Sequence, residues 1–264
     1  MGDARDILPV VEPDRDLDDW GRSARLSGAL DRTLWEAAHK LWFRVELQQA
    51  DRIPSTGGAL LVVNGGGVLS PIGPLVAKAV REDHPRRRDP RLCVDRGVLD
   101  QPGLSVLLTR AGAVGAQVDD LARLLGDEGS LLVLSTRTDR LHDEGATEGL
   151  AGHPALVAAV RTGVPIIPIA AVGADDAQPV LGRLPLPGGR RLPVTLAFPH
   201  LGPLALLAYL PAKIRLRALS PLLPDTDAGT DPDAEVERLA LSTARRLRHE
   251  HADMRRTRGS RWVG

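Results

Sequence analysis

Apolar and polar positions follow two distinct patterns along the chain. Three largely apolar runs, at 59–64, 130–134 and 164–172, are typical of buried strands. In other stretches apolar residues recur every three or four positions, which indicates amphipathic helices. These stretches are 18–43, 74–80, 103–110, 119–125 and 153–162. Strands that alternate with helices at this spacing predict an α/β domain whose mostly parallel or mixed sheet is covered by helices.

The remaining sequence predicts more exposed elements. Segments 43–47 and 213–219 alternate apolar and polar residues, as half-exposed strands do. Segment 173–211 is rich in Pro and Gly, so we expect a long irregular excursion over the surface. Asp231 is suited to cap a last helix, and Pro232 to begin it.

A chain of 264 residues suits one large domain with flanking segments. We expect a polar N-terminal arm at 1–17, a main domain at 18–224 that includes the N-terminal helix, and a C-terminal helix with a basic tail at 225–264. With 43% hydrophobic and 26% charged residues, the composition is that of a globular protein. The formal net charge of zero gives no reason to expect a nucleic acid partner.

Cysteine usage and hydropathy bear on the compartment. Cys93 is the single cysteine, which excludes an internal disulfide and favours a reducing compartment. No run of about 18 apolar residues occurs, so we expect no membrane-spanning helix. The first residues are acidic and do not predict a signal peptide. We therefore expect a cytoplasmic protein, with peripheral attachment to the inner face of the membrane as an open alternative.

Trp35 and Trp42 lie seven residues apart in the first predicted helix, near the same apolar stripe. One interpretation places both indoles in the core, where the helix packs on the sheet. The other is an interfacial helix whose tryptophans lie at the level of lipid headgroups, which requires an exposed apolar face. The basic stretch 245–261 is a second feature that would attract anionic lipid.

Four segments in register resemble one protein family. They are Trp42-Phe-Arg-Val-Glu46, Gly57-Gly-Ala-Leu-Leu-Val-Val-Asn64, residues 161–173 with Asp175, Asp176 and Pro179, and Phe198-Pro-His-Leu-Gly-Pro203 running on to Lys213. The chain is similar here to phosphate and glycerolipid acyltransferases related to bacterial 1-acylglycerol-3-phosphate acyltransferase, in particular an actinobacterial, diacylglycerol-acyltransferase-like branch. The resemblance implies an α/β acyltransferase fold, and acyl transfer from acyl-CoA or an acyl carrier protein to a lipid hydroxyl.

The family's first motif is Asn-His followed a few residues later by Asp. Its histidine takes a proton from the acceptor hydroxyl, and its aspartate orients the histidine. Here Asn64 is followed by Gly65 at the histidine position. Ser70 or Ile72 holds the carboxylate position, depending on the spacing, and no acidic residue occurs between Gly65 and Arg81. The resemblance therefore carries no intact catalytic pair.

The family's second motif is Phe-Pro-Glu-Gly-Thr-Arg, a loop that positions the substrate phosphate. The corresponding strand runs into Ser135-Thr-Arg-Thr-Asp-Arg140, without the proline, glutamate and glycine. Thr136, Arg137, Thr138 and Arg140 are the candidates for contact with a phosphate or other anion. The alternative is an exposed polar loop.

A substitute base would have to come from another histidine. His142 follows the altered second motif and precedes Asp143 and Glu144, so it is the candidate, although such a run is typical of a solvated loop. The other histidines are His39, His84, His153, His200, His249 and His251. No set of His, Asp or Glu has metal-ligand spacing on one element, and we expect neither a metal nor a cofactor.

The sequence supports three hypotheses of function. The first is a catalytically inactive acyltransferase homologue of glycerolipid or phospholipid metabolism, which binds a lipid or acyl chain or acts as the partner of an active lipid enzyme. The second is an active lysophospholipid or diacylglycerol acyltransferase that uses acyl-CoA with relocated catalytic groups. The third is a peripheral membrane protein. General-base catalysis contributes roughly 100- to 10,000-fold in rate, so loss of the base favours the first hypothesis.

Overall fold

The computed structural model describes residues 16–66, 70–100, 103–137, 146–177, 180–185, 191–195, 209–225, 229 and 231–257. Within these ranges the chain forms one α/β domain, in which helices cover both faces of a seven-stranded sheet. The fold class predicted from the sequence is confirmed. Of the predicted N-terminal arm, residues 1–15 lie outside the described ranges.

The central sheet is mixed and contains seven of the nine described strands; β7 and β8 form a separate pair. The strands in chain order are β1 (Glu46–Gln48), β2 (Ala59–Gly66), β3 (Arg91–Val94), β4 (Ala113–Gly115), β5 (Leu131–Arg137), β6 (Ile166–Val172), β7 (Val180–Pro185), β8 (Arg191–Thr195) and β9 (Arg215–Ala218). The spatial order in the sheet is β1-β9-β6-β2-β5-β3-β4. Five neighbouring strands are parallel to one another, namely β6, β2, β5, β3 and β4. The strands β9 and β1 run in the opposite direction.

Helices connect most of the strands. They are α1 (Ala24–Leu30), α2 (Ile72–Asp83), α3 (Arg96–Leu99), α4 (Leu104–Arg110), α5 (Val118–Gly126), α6 (Ala146–Ala151), α7 (Pro154–Thr162), α8 (Ala174–Ala177) and α9 (Pro232–Arg256). The helical path of α1 continues through two π-helical stretches, Asp31–Trp35 and Ala38–Trp42. We call the whole segment 24–42 the N-terminal helix.

Two hydrophobic cores lie on the two faces of the sheet, because side chains alternate along each strand. From β2, Leu60 and Val62 pack with α5, α7 and α9 on one face, which we call the α9 face. Leu61 and Val63 pack with α2 and the N-terminal helix on the other, the α2 face. Burial on both faces explains why the central strands are continuous apolar runs in the sequence.

The N-terminal helix is held on the α2 face by ion pairs. The Lys78 side chain is 3% exposed, and its Nζ lies 2.7–3.0 Å from carboxylate oxygens of Asp31, Glu36 and Glu82. Burial alone would lower the pKa of Lys78, but hydrogen bonds to the three carboxylates raise it. Arg81 also pairs with Asp31. The helix is therefore docked by charge as well as by apolar contact.

The two tryptophans of the N-terminal helix have different environments. Trp35 packs against the core of the α2 face, as the first interpretation predicts. Trp42 is 45% exposed, and its Nε1–H donates to the Tyr209 carbonyl at 2.9 Å. Leu41 beside it is 78% exposed. One end of the helix thus leaves apolar surface in contact with solvent.

Several predicted elements are confirmed at or near their boundaries, among them β2, β5, β6, α2, α5, α7 and β9. Helix α9 begins as predicted: Pro232 occupies the first turn and Asp231 Oδ1 accepts the Asp233 N–H at 3.1 Å. Cys93 is buried, which raises the pKa of its thiol to about 12. A thiol of this kind is unreactive at neutral pH.

Other predictions were wrong. The first helix begins at Ala24 and not at residue 18, because the Ser23 side chain caps it at Leu26 N–H. The strand predicted at 43–47 begins only at Glu46, after Arg44 with φ of 42°. Segment 173–211 is not irregular throughout, because β7 and β8 pair in an antiparallel hairpin within it. The short elements α3, β4 and α6 were not predicted.

Candidate functional site

The two altered motifs meet at the centre of the sheet. β2 and β5 are adjacent and parallel, so their carboxyl ends lie at the same edge. Asn64 is opposite Thr136 and Gly66 is opposite Arg137, with an irregularity in the ladder between Asn64 and Gly66. In α/β sheets the carboxyl edge is where ligands bind. The candidate site therefore lies between the ends of these two strands and the start of α2.

Gly65 has a backbone conformation that favours glycine. Its φ is +92°. A Cβ atom at this position would lie 3.2 Å from the Ala174 Cβ and 3.8 Å from Ile72 Cγ1. Such a Cβ would therefore be strained by φ and crowded by Ala174. Gly65, which the sequence resemblance aligns with the family's histidine, thus has a conformation and surroundings that favour a residue without a side chain.

The Ser70 side chain forms two hydrogen bonds between the end of β2 and the start of α2. Its Oγ–H donates to the Gly65 carbonyl at 2.8 Å, and its Oγ accepts the Ile72 N–H at 3.3 Å. The hydroxyl thereby satisfies one of the free N–H groups at the start of α2. Ile72 itself is completely buried. Neither Ser70 nor Ile72, the two residues that the resemblance aligns with the family's aspartate, offers a carboxylate that could orient a base.

Asn64 is completely buried and points to the opposite face of the sheet from the Gly65 position. Its Oδ1 accepts the Ala171 N–H at 2.7 Å, and its Nδ2 donates to the Ala171 carbonyl at 2.9 Å. Nδ2 also lies 3.1 Å from His251 Nδ1. Because the Ala171 bonds fix the orientation of the amide, His251 Nδ1 accepts a hydrogen bond and carries no proton.

Ser135 is the polar side chain of β5 that lies against α2. Its Oγ is 2.9 Å from where a Cβ of Gly73 would be, so glycine at 73 lets α2 approach the strand. Ser135 is exposed and makes no side-chain hydrogen bond within the described ranges. Alternation places the half-buried Thr136 toward the other face. Ser135 and Thr136 therefore lie on opposite faces of the sheet.

His153 and Asp95 form a histidine–carboxylate pair that the sequence did not reveal. His153 Nε2 lies 3.4 Å from Asp95 Oδ1, and Nδ1 accepts the Ala155 N–H at 3.1 Å as the cap of α7. Burial lowers the pKa of His153, and Asp95 partly opposes this. Nδ1 accepts a backbone N–H at the start of α7, and Nε2 faces the Asp95 carboxylate. The ring therefore caps a helix and has no free basic nitrogen. The one sequence signal was Pro154, which is typical of a first helical turn.

The remaining described histidines lie away from the site. His84 Nδ1 accepts the Arg86 N–H at 3.1 Å, and Nε2 lies 3.0 Å from the Ile53 carbonyl. His39 is buried between the N-terminal helix and the charges of α2. The candidates Thr138, Arg140 and His142 fall outside the described ranges, and Arg137 is described only as the last residue of β5. The roles of these four residues stay predictions.

Metal binding and membrane crossing both depend on features that the described residues can be checked for. No group of three or more His, Cys, Asp or Glu side chains is arranged to hold a metal ion in this part of the chain. Among the helices in the described ranges, none combines the length with the apolar character that crossing a membrane requires.

Comparisons with known proteins agree with the fold. No protein-family profile matches the chain. An uncharacterized protein of Mycobacterium leprae is 33% identical over 229 residues, and one of Mycobacterium tuberculosis H37Rv is 32% identical over the same length. These alignments cover 83% of this chain but 62% and 63% of the relatives, so the chain spans less than two thirds of their length.

Among solved structures, the chain is similar to the 1-acyl-sn-glycerophosphate acyltransferase PlsC of Thermotoga maritima. The TM-score is 0.52 at 15% sequence identity, over 89% of this chain and 81% of that one. An identity this low bears on the fold alone. The chain therefore has an acyltransferase fold. Gly65 and Ser70 lie at the carboxyl edge of its sheet.

Proposed function

We propose that this chain is an acyltransferase-fold protein of glycerolipid or phospholipid metabolism that binds a lipid or acyl chain without catalysing acyl transfer. The conformation of Gly65 carries the proposal. Its φ is +92°, and a Cβ there would lie 3.2 Å from Ala174 Cβ, so the site favours glycine where a general base would be needed. Loss of the base alone removes roughly 100- to 10,000-fold in rate.

The positions of the described histidines also support inactivity. On the α2 face, His39 lies near Glu82 and Asp83, and His84 Nε2 lies 3.0 Å from the Ile53 carbonyl, so both are at the other end of α2 from Gly65. His251 and His153 belong to α9 and the start of α7, which pack on the α9 face. The sheet lies between their rings and the Gly65 position. Their Nδ1 atoms accept hydrogen bonds from Asn64 and from Ala155 N–H. Neither ring therefore offers a free base at the candidate site.

The ligand class that we propose is supported by the likeness to PlsC, whose name specifies a glycerophosphate acyl acceptor. Native mass spectrometry of the purified protein tests this. We expect a co-purifying acyl-chain compound that Ser135→Trp displaces, because Ser135 is exposed at the carboxyl edge beside α2. Leu223→Trp is the control, since Leu223 is 67% exposed beyond the amino end of β6. Purified protein that carries no acyl compound would contradict lipid binding. A role as the partner of an active lipid enzyme would then be the remaining hypothesis.

A second candidate function is peripheral membrane attachment. Exposed large apolar side chains occur on the N-terminal helix, at Leu34, Leu41 and Trp42, and on α4, at Val106 and Leu107. The chain just before α1 contacts the end of α4, since the Ser23 N–H donates to the Arg110 carbonyl at 3.0 Å. A helix with exposed Leu and Trp on one side is suited to the bilayer interface.

Sedimentation with vesicles tests this attachment. Leu41→Ser removes the most exposed of these side chains and is expected to reduce the bound fraction severalfold. Leu241→Ser is the matched control, because Leu241 is 42% exposed but lies on α9, across the sheet. Equal binding of the two variants and the unchanged protein would argue against attachment through the N-terminal helix.

A further inference from the structure

A cationic groove lies at the opposite edge of the sheet from the candidate site. Its volume is about 370 Å³, and its lining includes Arg52, Ser220, Arg245, Arg246 and His249. Arg52 follows β1 and Ser220 follows β9, whereas the others belong to α9. Because β1 and β9 run against the central strands, their carboxyl ends lie at the amino edge of those strands. The groove is therefore separate from Gly65 and its surroundings.

Two of the guanidinium groups are anchored by neutral backbone carbonyls. Arg52 Nη1 donates to the Ala218 carbonyl at 3.1 Å, and Arg246 Nη1 donates to the Ser220 carbonyl at 2.9 Å. A guanidinium has five N–H donors, so each group uses one donor for its position and keeps four. A carbonyl contact leaves the positive charge uncompensated. Within the part of the chain that the structure describes, the two charges are thus held at the groove without a carboxylate partner.

The single carboxylate in the lining is already paired. Glu250 Oε1 lies 2.6 Å from Nη1 of Arg217, whose Nε also donates to Gln48 at 2.9 Å. Arg245 makes no hydrogen bond or ion pair within the described residues. The groove therefore presents three guanidinium charges, from Arg52, Arg245 and Arg246, that no acidic side chain of the described residues neutralises.

We propose that this groove binds a phosphate group, either as a free phosphomonoester or as a lipid headgroup. Arginines bind phosphate oxygens through paired N–H donors, and several guanidinium groups around one concave surface suit a doubly charged anion. An ordinary solvated helix face would not explain why Arg52, from a separate turn, converges with Arg245 and Arg246. The inference does not rest on the proposed function, because it concerns another edge of the sheet.

Calorimetric titration of the full chain with inorganic phosphate at low ionic strength tests the site. We expect saturable binding that Arg245→Gln and Arg246→Gln each weaken by about tenfold or more, as expected for charge-assisted hydrogen bonds. Arg255→Gln is the control. Arg255 is exposed on the same helix about 15 Å further along, at 1.5 Å per residue. Circular dichroism of each variant checks that the fold is intact.

Vesicle flotation distinguishes the two sources of the phosphate. Phosphatidylcholine vesicles with phosphatidate bind the protein through Arg245 if the ligand is a headgroup, and vesicles of phosphatidylcholine alone do not. Phosphate binding without flotation supports a soluble phosphomonoester. The proposal is overturned if neither probe binds, or if Arg255→Gln loses as much affinity as Arg245→Gln, which would indicate diffuse attraction to the basic helix.

Discussion

The side chain of Asn64 pairs with the backbone of Ala171 as a strand residue would. The regular ladder between β2 and β6 has its last pair at Val63 and Ile169. Beyond it, the Asn64 amide accepts the Ala171 N–H at 2.7 Å and donates to the Ala171 carbonyl at 2.9 Å. Its remaining N–H reaches His251 on α9. One buried amide thus joins two strands and the C-terminal helix at the base of the candidate site.

Asn64→Ala is expected to destabilise the protein. The substitution leaves the N–H and the carbonyl of Ala171 buried without their partner, and each unsatisfied group costs about 1–3 kcal/mol. We predict a loss of about 2–4 kcal/mol in the free energy of unfolding, measured by urea denaturation. Asn64→Asp should also destabilise, because a carboxylate cannot donate to the Ala171 carbonyl. A loss within experimental error for both variants would refute the structural role of this amide.

Gly65→Ala is expected to cost about 1–3 kcal/mol, since a residue other than glycine is strained at φ of +92°. Gly57→Ala is a matched control, because Gly57 has φ of +72° but a Cβ there meets no atom within 4 Å. The excess cost at Gly65 therefore reports the crowding by Ala174. Urea denaturation of both variants gives the comparison, and equal costs would show that backbone strain alone selects glycine at this position.

Lys78→Met should loosen the N-terminal helix. The substitution leaves Asp31, Glu36 and Glu82 without their shared cation, and we expect a loss of about 1–3 kcal/mol because these carboxylates are partly exposed. Lys40→Met is the control: Lys40 is 55% exposed and pairs with Glu36, and such surface pairs contribute little to stability. Hydrogen exchange of 24–42 measures the loosening. Unchanged protection in Lys78→Met would show that apolar contacts alone hold the helix.

His39→Leu is expected to stabilise the protein by about 1 kcal/mol, because neither buried ring nitrogen has a hydrogen-bond partner among the described residues. Burial lowers the pKa of His39, with Asp83, Glu82 and Glu36 opposing and Lys78 reinforcing the shift.

The lowered pKa gives this variant a pH dependence. The unfolded chain binds the proton more readily, so the contribution of His39 to stability is present above the unfolded pKa of about 6.5 and is lost as the pH falls below it. The advantage of His39→Leu should therefore grow from pH 7 to pH 5 in urea titrations. A constant difference across this range would show that the pKa of His39 is not lowered.

Much of the fold could be predicted because the central strands are buried on both faces. β2, β5 and β6 are apolar runs that stand out without tertiary information. β4 and α3 were missed because three or four residues are too few to display a period. The start of β1 was predicted three residues too early, because the sequence does not indicate the positive φ of Arg44.

The candidate site was only partly predictable. The replacement of histidine by Gly65 is visible in the sequence, but its crowding by Ala174 depends on how β6 and α8 pack beside β2. The partners of Asn64 are 107 and 187 residues away along the chain. Likewise, Asp95 and His153 meet only because the end of β3 and the start of α7 are brought together in the fold.

Release of coenzyme A from an acyl-CoA, with lysophosphatidate or diacylglycerol as the acceptor, tests the central claim most directly. A protein with glycine at position 65 and no described histidine beside the start of α2 should release coenzyme A no faster than the protein-free reaction. The same rate is expected for His142→Ala. Turnover by the unchanged protein that His142→Ala abolishes would contradict the account and establish an active acyltransferase with a relocated base.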